Sequence, residues 1–373
     1  MNWTKKKVLI VLGTRPEVIK MFPVIKVLKN SNLIDFQILS TKQQNLLLES
    51  ALNEFQIQPD LELKEYESSS LVDSLSEIMR GIESKLQDFK PDFLLVQGDT
   101  TTAFAGALVG YLNGVAVAHL EAGLRTMNLK RPFPEEGFRQ SIARLTTIHL
   151  APTEQAVRNL KREGIDTKKI FLVGNSIVDS LKFQMEDLQA IKESQVSNKL
   201  LVTLHRRENF GKNIEQVCLG IKKFVFEYSG EIQATIILHS NPNSFLPIKM
   251  LLGNQDRIQL IQPPKRRHFL QLLVQCGCVL TDSGGVQEEA HLLDKKLLIV
   301  RSETERPEVL NGDAKFVDLN EESVYLSLVK AFSEIKLAKS PYNGVNLTTA
   351  LGDGETAIKV RRILENYEKD SLD

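Results

Sequence analysis

Short apolar runs alternate along this chain with longer segments in which apolar residues recur at helical spacing. Val8-Leu9-Ile10-Val11-Leu12 reads as a buried strand, and residues 16–28 as the helix after it, with Pro16 at an early position that a helix tolerates. Residues 36–39 form a second strand, 71–89 a long amphipathic helix, and 93–96 a buried strand ending at Gly98-Asp99. A helix over 101–111 and a strand over 115–118 ending at His119 follow, then strands at 148–150 and 170–173. The pattern restarts with a strand at 200–203 and a helix at 214–226. Strands at 236–238, 258–261 and 278–281, a helix over 284–293 and a strand at 296–300 complete it. The last helix spans about 355–367, after a loop over 343–354.

Repeated strand–helix–strand units predict α/β architecture, with parallel sheets covered by helices on both faces. At roughly 100–200 residues per domain, 373 residues make two domains. The charged stretch 184–199 lies between the two series and marks the boundary region. The expected division is 1–178, 179–355, and a terminal segment 356–373 returning to the first domain. Parallel sheets bind ligands beyond the carboxyl ends of their strands. Polar clusters stand at those ends in both halves: Gly13-Thr14-Arg15, Gly98-Asp99-Thr100, His119-Leu120-Glu121, His205-Arg206-Arg207, His239-Ser240-Asn241 and Asp282-Ser283-Gly284-Gly285. Two Rossmann-like domains facing a central cleft account for that distribution.

Charge narrows the partners. Lys+Arg and Asp+Glu both number 47, so the basic excess of a nucleic-acid-binding chain is missing. Lys5-Lys6-Lys7 and Lys265-Arg266-Arg267 read as solvated surface. Cys218, Cys276 and Cys278 lack zinc-ligand spacing and read as structural thiols of a reducing compartment. The apolar run after Lys7 is too short for a secretory signal, and no run approaches the ~18 apolar residues of a membrane span. The expectation is a cytoplasmic protein without membrane or nucleic-acid partners.

Several groups are suited to chemistry. Asp282-Ser283-Gly284-Gly285 lies between a strand and a helix, where amides at a helix start bind a diphosphate; the same residues also make an ordinary turn capped by Asp or Ser. Neither G-x-x-x-x-G-K-[ST] nor G-x-G-x-x-G occurs, which disfavours a P-loop nucleotide hydrolase and the usual nicotinamide fingerprint. Arg15 is a candidate phosphate partner or a surface ion pair. Asp99, Glu121 and Glu135 are candidate acid/base carboxylates, with capping or ion pairing as the plainer reading, and Glu135-Glu136 open a helix after Pro134. His205, at a strand end, is suited to holding substrate or moving a proton, or to a structural role. Phe269 is placed to stack on a base or to fill a core.

Taken together and in order, these segments resemble the non-hydrolysing UDP-N-acetylglucosamine 2-epimerase family. The resemblance runs through Gly13-Thr14-Arg15-Pro16-Glu17, Ile19-Lys20-Met21, Gly98-Asp99-Thr100-Thr101-Thr102 and His119-Leu120-Glu121-Ala122-Gly123-Leu124-Arg125-Thr126. It continues through Pro134-Glu135-Glu136, Arg139, Gly174-Asn175, His205-Arg206-Arg207-Glu208 and Asn241-Pro242-Asn243. Asp282-Ser283-Gly284-Gly285, Gln287-Glu288-Glu289 and Thr304-Glu305-Arg306-Pro307-Glu308 complete it. Two departures stand out: Gln43-Gln44-Asn45-Leu46 where the family commonly carries Gln-His-Arg-Glu, and Gln97 in place of a frequent His.

The resemblance implies a glycosyltransferase B-type fold, usually a homodimer, working on a UDP-sugar with neither metal nor other cofactor. It implies Arg15, Lys20, Phe269, Ser283, Gly284, Gly285, Glu289 and Arg306 as substrate-binding residues, and Asp99, Glu121, Glu135 and His205 as catalytic ones. The implied reaction is reversible inversion at C2 through UDP elimination and re-addition. A hydrolysing epimerase, a glycosyltransferase and a non-catalytic UDP-sugar sensor are the competing readings.

Overall fold

The computed structural model describes residues 5–66, 70–186, 198–239, 241–311, 314–337 and 349–368. The chain divides into two compact units, Met1–Phe183 with Leu347–Asp373, and Gln184–Asn346.

The first unit carries β1 (Lys6–Leu12), α1 (Arg15–Leu28), β2 (Ile34–Ser40), α2 (Asn45–Glu54), β3 (Leu61–Glu62), α3 (Leu71–Phe89) and β4 (Phe93–Gln97). It continues with α4 (Thr101–Leu112), β5 (Ala116–Leu120), α5 (Glu135–Leu145), β6 (Ile148–Ala151), α6 (Glu154–Arg162), β7 (Ile170–Leu172) and α7 (Ser176–Glu186). The sheet order is β3-β2-β1-β4-β5-β6-β7, and its paired strands are parallel. Residues of β1 alternate between two cores, as the pleat requires. Val8, Ile10 and Leu12 pack with Val18, Met21 and Ile25 of α1, and Leu9 and Val11 with Ile78, Ile82 and Leu86 of α3. Burial on both faces explains why β1 reads as an unbroken apolar run.

The second unit carries β8 (Lys199–Thr203), α8 (Lys212–Glu227), β9 (Gln233–Ile237), α9 (Pro242–Leu252), β10 (Ile258–Ile261) and α10 (Arg266–Gln275). β11 (Cys278–Thr281), α11 (Gly284–Leu292), β12 (Lys296–Ile299), β13 (Ala314–Phe316) and α12 (Glu321–Leu337) follow. Its sheet is again parallel, in the order β10-β9-β8-β11-β12-β13. Leu200 and Val202 of β8 pack with Val217, Ile221 and Phe224 of α8 and with Val324 and Leu328 of α12.

Both sheets reverse direction of growth beside their first strand, between β1 and β4 and between β8 and β11. Such switch points are where open α/β sheets bind ligands. The final helix α13 (Thr356–Asn366) buries Ala357, Val360 and Leu364 in the α1 core of the first unit. Of the expected boundary stretch, 184–186 continue α7 and 199 begins β8, while 187–197 lie outside the described residues. Part of the 343–354 loop, residues 343–348, lies outside them too. The limit between the compact units falls at Phe183/Gln184, within α7. Among the described residues no helix is long and apolar enough to cross a membrane.

Two expectations need correcting. Lys6 and Lys7 are half-buried members of β1 rather than solvated surface, and Lys7 Nζ donates to the Phe89 carbonyl at 3.2 Å. Arg266 is buried, although Lys265 and Arg267 on either side are exposed. Arg266, Phe269, Leu270 and Leu273 form the inward stripe of α10, so helix phase turns one cation of the run inward.

Candidate active site

In the first unit the chemistry gathers at the β1/β4 switch point and along the neighbouring end of β5. Gly13 leads from β1 into α1. A Cβ on Gly13 would run into the Thr41 and Thr102 hydroxyls, so only glycine lets this turn approach α4 so closely. Glu17, third residue of α1, turns back on that turn. Its Oε2 accepts from Gly13 N (2.8 Å), Thr14 N (2.7 Å) and Thr14 Oγ1 (3.0 Å), and its Oε1 accepts from Thr100 Oγ1 at 2.6 Å. Burial pushes the Glu17 carboxyl up to about 7 despite those donors. Glu17 thus ties the turn carrying Arg15 to the loop carrying Asp99.

This carboxyl makes a testable contribution to stability. Its folded-state pKa of about 7 exceeds the reference 4.5, so the folded state holds the proton more tightly. The stabilisation is fully present below about pH 4.5 and is lost as pH rises through about 7, a swing of about 3 kcal/mol. Glu17→Gln removes the swing. Urea denaturation at about pH 5 and about pH 8 should show the wild-type-minus-variant difference changing by about 2–3 kcal/mol. A difference independent of pH would mean that Glu17 does not titrate in this range.

Asp99 and Glu121 stand at the ends of adjacent strands, since Gly98 N donates to the Leu120 carbonyl at 3.0 Å. Each carboxylate has its own cation. Asp99 Oδ2 accepts from Arg139 Nε at 2.8 Å and pairs with Nη2 at 2.6 Å. Glu121 Oε1 accepts from Lys20 Nζ at 2.5 Å, with both side chains nearly inaccessible to solvent, and Oε2 accepts from the Gln97 amide. Lys20, expected to bind substrate, is therefore engaged with Glu121. Glu121 has φ 70°, left-handed for a residue with a side chain, and is held there by the Leu150 carbonyl, which accepts from both Glu121 N and Ala122 N. Such strain clusters at functional sites. The loop beyond it is pinned where Arg125 Nε and Nη2 fork onto Glu163 at 2.7 and 2.9 Å.

Glu135 opens α5 and is half-buried. Its neighbour Glu136 does not cap α5. It accepts instead from Thr126 N and Met127 N (3.1 Å each) and from Arg139 Nη1 at 2.9 Å, which joins this loop to the Asp99 cation. His119, expected just past a strand, lies inside β5, buried, with Nε2 2.7 Å from the Gly98 carbonyl. Burial pushes it down to about 4, so it is a neutral brace under Gly98-Asp99 rather than a group facing substrate.

In the second unit the β8/β11 switch point brings His205 against Asp282. Asp282 does not cap α11. Its buried carboxylate accepts from His205 N (3.0 Å), Arg206 N (3.0 Å) and Asn209 Nδ2 (2.9 Å), with His205 Nδ1 3.1 Å away. Burial alone would raise the Asp282 pKa, but its interaction with His205 and the Arg206 and Asn209 donors outweigh it and hold the group below the usual carboxylate range. Ser283 is the N-cap residue of α11 and its side chain makes no cap bond, so the amides at the helix start face outward for an anion. The Arg306 guanidinium packs directly over Gly284: a Cβ there would come within 2.8 Å of Arg306 Cζ. Arg306 Nε donates to Glu288 at 2.5 Å and Nη1 to Glu305, whose other oxygen takes Arg301 Nη1 at 3.0 Å. Phe269 and Glu289, predicted separately, are linked through Arg266, which pairs with Glu289 at 2.6 Å and lies 5.6 Å from the Phe269 ring centre.

Asn241, in the other polar cluster of this unit, caps α9 by accepting from Asn243 N, and Ser240 lies outside the described residues. Sequence reasoning missed Glu17, Arg266 and the pairing of Asp282 with His205. Helix phase would have found Arg266. The other two depend on contacts across 83 and 77 residues. Among the described residues no cluster of three or more His, Cys, Asp or Glu is arranged to hold a metal ion.

Known proteins match this arrangement along the whole chain. The family model for UDP-N-acetylglucosamine 2-epimerase matches residues 26–365. The UDP-N-acetylglucosamine 2-epimerase of Campylobacter jejuni is 38% identical, with 96% of this chain and 97% of that protein aligned. The crystal structure of the Neisseria meningitidis UDP-GlcNAc 2-epimerase bound to UDP-GlcNAc superposes with a TM-score of 0.88 at 36% identity, covering 96% of this chain and 100% of the other. A glycosyltransferase from Streptomyces nogalater shares the fold alone, with a TM-score of 0.56 at 10% identity over 97% of this chain and 99% of its own. The two Rossmann-like units are thus those of the glycosyltransferase B-type fold, and the chain belongs to the UDP-N-acetylglucosamine 2-epimerase family.

Proposed function

We propose that this chain interconverts UDP-N-acetylglucosamine and UDP-N-acetylmannosamine without releasing free sugar. The observation that carries the reading is the pair of carboxylates on adjacent strand ends, Asp99 on Arg139 and Glu121 on Lys20.

The C2 proton has no carbonyl beside it, so its removal needs help from C1. As the C1–O bond to UDP breaks, positive charge grows in the ring and C2 becomes acidic. A carboxylate takes the C2 proton, the C–H electron pair becomes the C1=C2 double bond of a 2-acetamidoglucal, and UDP leaves with the C1–O pair. In the return step UDP oxygen attacks C1, and the double-bond electrons take a proton at C2 on the opposite face. Two faces require two proton-transfer groups, which Asp99, Glu121 and Glu135 supply. The α11 amides and Arg306 hold the diphosphate so that UDP stays for re-addition, with Ser283, Gly284 and Gly285 at the helix start. Phe269 stacks on the base, Glu289 takes the ribose side, and Arg15 adds a phosphate contact. The same reading makes the chain a cytoplasmic homodimer that supplies the mannosamine sugar nucleotide for polysaccharide synthesis.

Product analysis tests the outcome. Incubation with UDP-GlcNAc followed by ion-exchange chromatography should give UDP-ManNAc at a stable ratio with little free UDP. UDP and free N-acetylmannosamine in equal amounts would identify a hydrolysing enzyme. Gly284→Ala tests the diphosphate site. Its methyl displaces the Arg306 guanidinium, and loss of one charged contact weakens UDP binding by roughly 10- to 100-fold in calorimetry. Unchanged affinity would take Arg306 out of the site.

A further inference from the structure

Asp282 is a fully buried carboxylate that does not cap the helix it precedes. All four groups around it present hydrogens or their positions: two backbone amides, the Asn209 amide and His205 Nδ1. A bare Nδ1 lone pair 3.1 Å from an ionised carboxylate would be repelled, so Nδ1 must carry the hydrogen. A neutral imidazole has only one N–H, which leaves Nε2 as an acceptor. Burial keeps the carboxylate bonded to His205 out of competition with water, and the ring is half-exposed on its other side. His239 stacks on that ring with centres 5.6 Å apart and planes 30° apart. Its own Nδ1 accepts from Asn241 N at 3.1 Å, so it is held as the opposite tautomer. Burial pushes His239 down, which favours its neutral form beside His205. Arg206 and Glu208, both half-buried, and the exposed Arg207 are the other charged groups of this strand end.

We propose that Asp282 is a positioning residue that locks neutral His205 as its Nδ1–H tautomer, so that Nε2 faces the UDP-sugar as a hydrogen-bond and proton acceptor. The catalytic half of this rests on the reading of His205 given above. A substrate hydroxyl that passes its proton to Nε2 keeps the O–H electron pair as its own negative charge, the new N–H bond forms on the Nε2 lone pair, and the imidazolium charge is matched by the Asp282 carboxylate. The buried carboxylate is thereby a fixed counter-charge that needs no reorganisation when the proton moves.

Long-range proton–nitrogen NMR on the histidine-labelled full chain reads the tautomer directly, with the His205 signals assigned by their loss in His205→Asn. Neutral wild-type His205 should show a protonated Nδ1 and a bare Nε2. Asp282→Asn presents an amide N–H to Nδ1 and should invert that pattern. The same variant should lower kcat by roughly 100-fold or more while KM stays within about 3-fold. In the His205→Asn background it should add less than about 3-fold. A wild-type ring protonated at Nε2 would overturn the proposal, and needs no variant to fold. So would an unchanged tautomer in Asp282→Asn, or an undiminished kcat loss in the His205→Asn background, which would make Asp282 merely structural. Near wild-type turnover by His205→Asn would instead remove His205 from the reaction and overturn the catalytic half, while the tautomer result would still decide the pairing.

Discussion

Glu121→Gln is expected to lower turnover by about 100-fold or more while leaving the chain folded. Both oxygens of Glu121 are engaged by donors, Lys20 Nζ on one and the Gln97 amide on the other. A glutamine offers one oxygen and one NH2 group, so whichever way it turns, an N–H faces a donor. It also cannot take a proton. The left-handed backbone at 121 is held by the Leu150 carbonyl and does not depend on the side chain, so the local fold is kept, while the loss of the buried Lys20 counter-charge lowers stability by up to about 3–5 kcal/mol. Asp99→Asn loses the negative charge that two Arg139 nitrogens share, and Glu135→Gln loses the carboxylate at the start of α5. Both belong in the same range. Steady-state kinetics with chromatographic separation of the epimers measures all three. Near wild-type rates throughout would remove proton transfer by these carboxylates.

Arg306→Ala should weaken UDP binding by roughly 100-fold or more and also destabilise the second unit, and the two losses should be separable. Glu288 and Glu305 are fully buried, and each bonds to Arg306. Glu305 keeps Arg301 when Arg306 is removed, whereas Glu288 loses the arginine held at 2.5 Å. Breaking a buried pair costs about 3–5 kcal/mol, because the remaining carboxylate loses a buried counter-charge. Adding Glu288→Gln to Arg306→Ala should therefore recover much of the stability in urea denaturation and none of the UDP affinity. Arg306→Lys should rescue poorly, since an ammonium cannot bridge two carboxylates and a phosphate in one plane. If the double variant regained UDP affinity, Arg306 would be a structural cation only.

These effects depend on contacts of very different legibility. The strands at 258–261 and 278–281 and the helix Leu71–Phe89 match their apolar patterns residue for residue. For α3 the chemistry of the ends helps: Ser70 caps it by accepting from Asp73 N, and Lys90 ends it in a left-handed turn. Helix α2 goes unassigned although Leu48, Ala51 and Leu52 form a buried stripe, because the exposed Leu46 and Leu47 beside Leu48 blur its period. Helix α12 does carry a readable stripe in Val324, Leu328, Ala331 and Phe332, which the strand–helix pattern nevertheless leaves unassigned.

At the site, the motifs place Asp99, Glu121, His205 and the Gly284 helix start at strand ends, and the fold puts them there. Their partners are another matter. Local sequence cannot say that Lys20 reaches Glu121 across 101 residues, or that Asp282 serves His205 rather than its own helix. Glu17 sits in a quoted motif, yet its link to Thr100 depends on β1 and β4 being neighbours, which only the sheet order supplies. The Gln97 departure becomes intelligible in the same way, because its amide occupies the second oxygen of Glu121.

Proton NMR of the enzyme with UDP-GlcNAc in D2O decides whether C2 is inverted by proton exchange and UDP re-addition. That route gives UDP-ManNAc with deuterium at C2, deuterium entering the remaining UDP-GlcNAc at the same carbon, and little free sugar. Epimers that form while keeping the original C2 proton would contradict it.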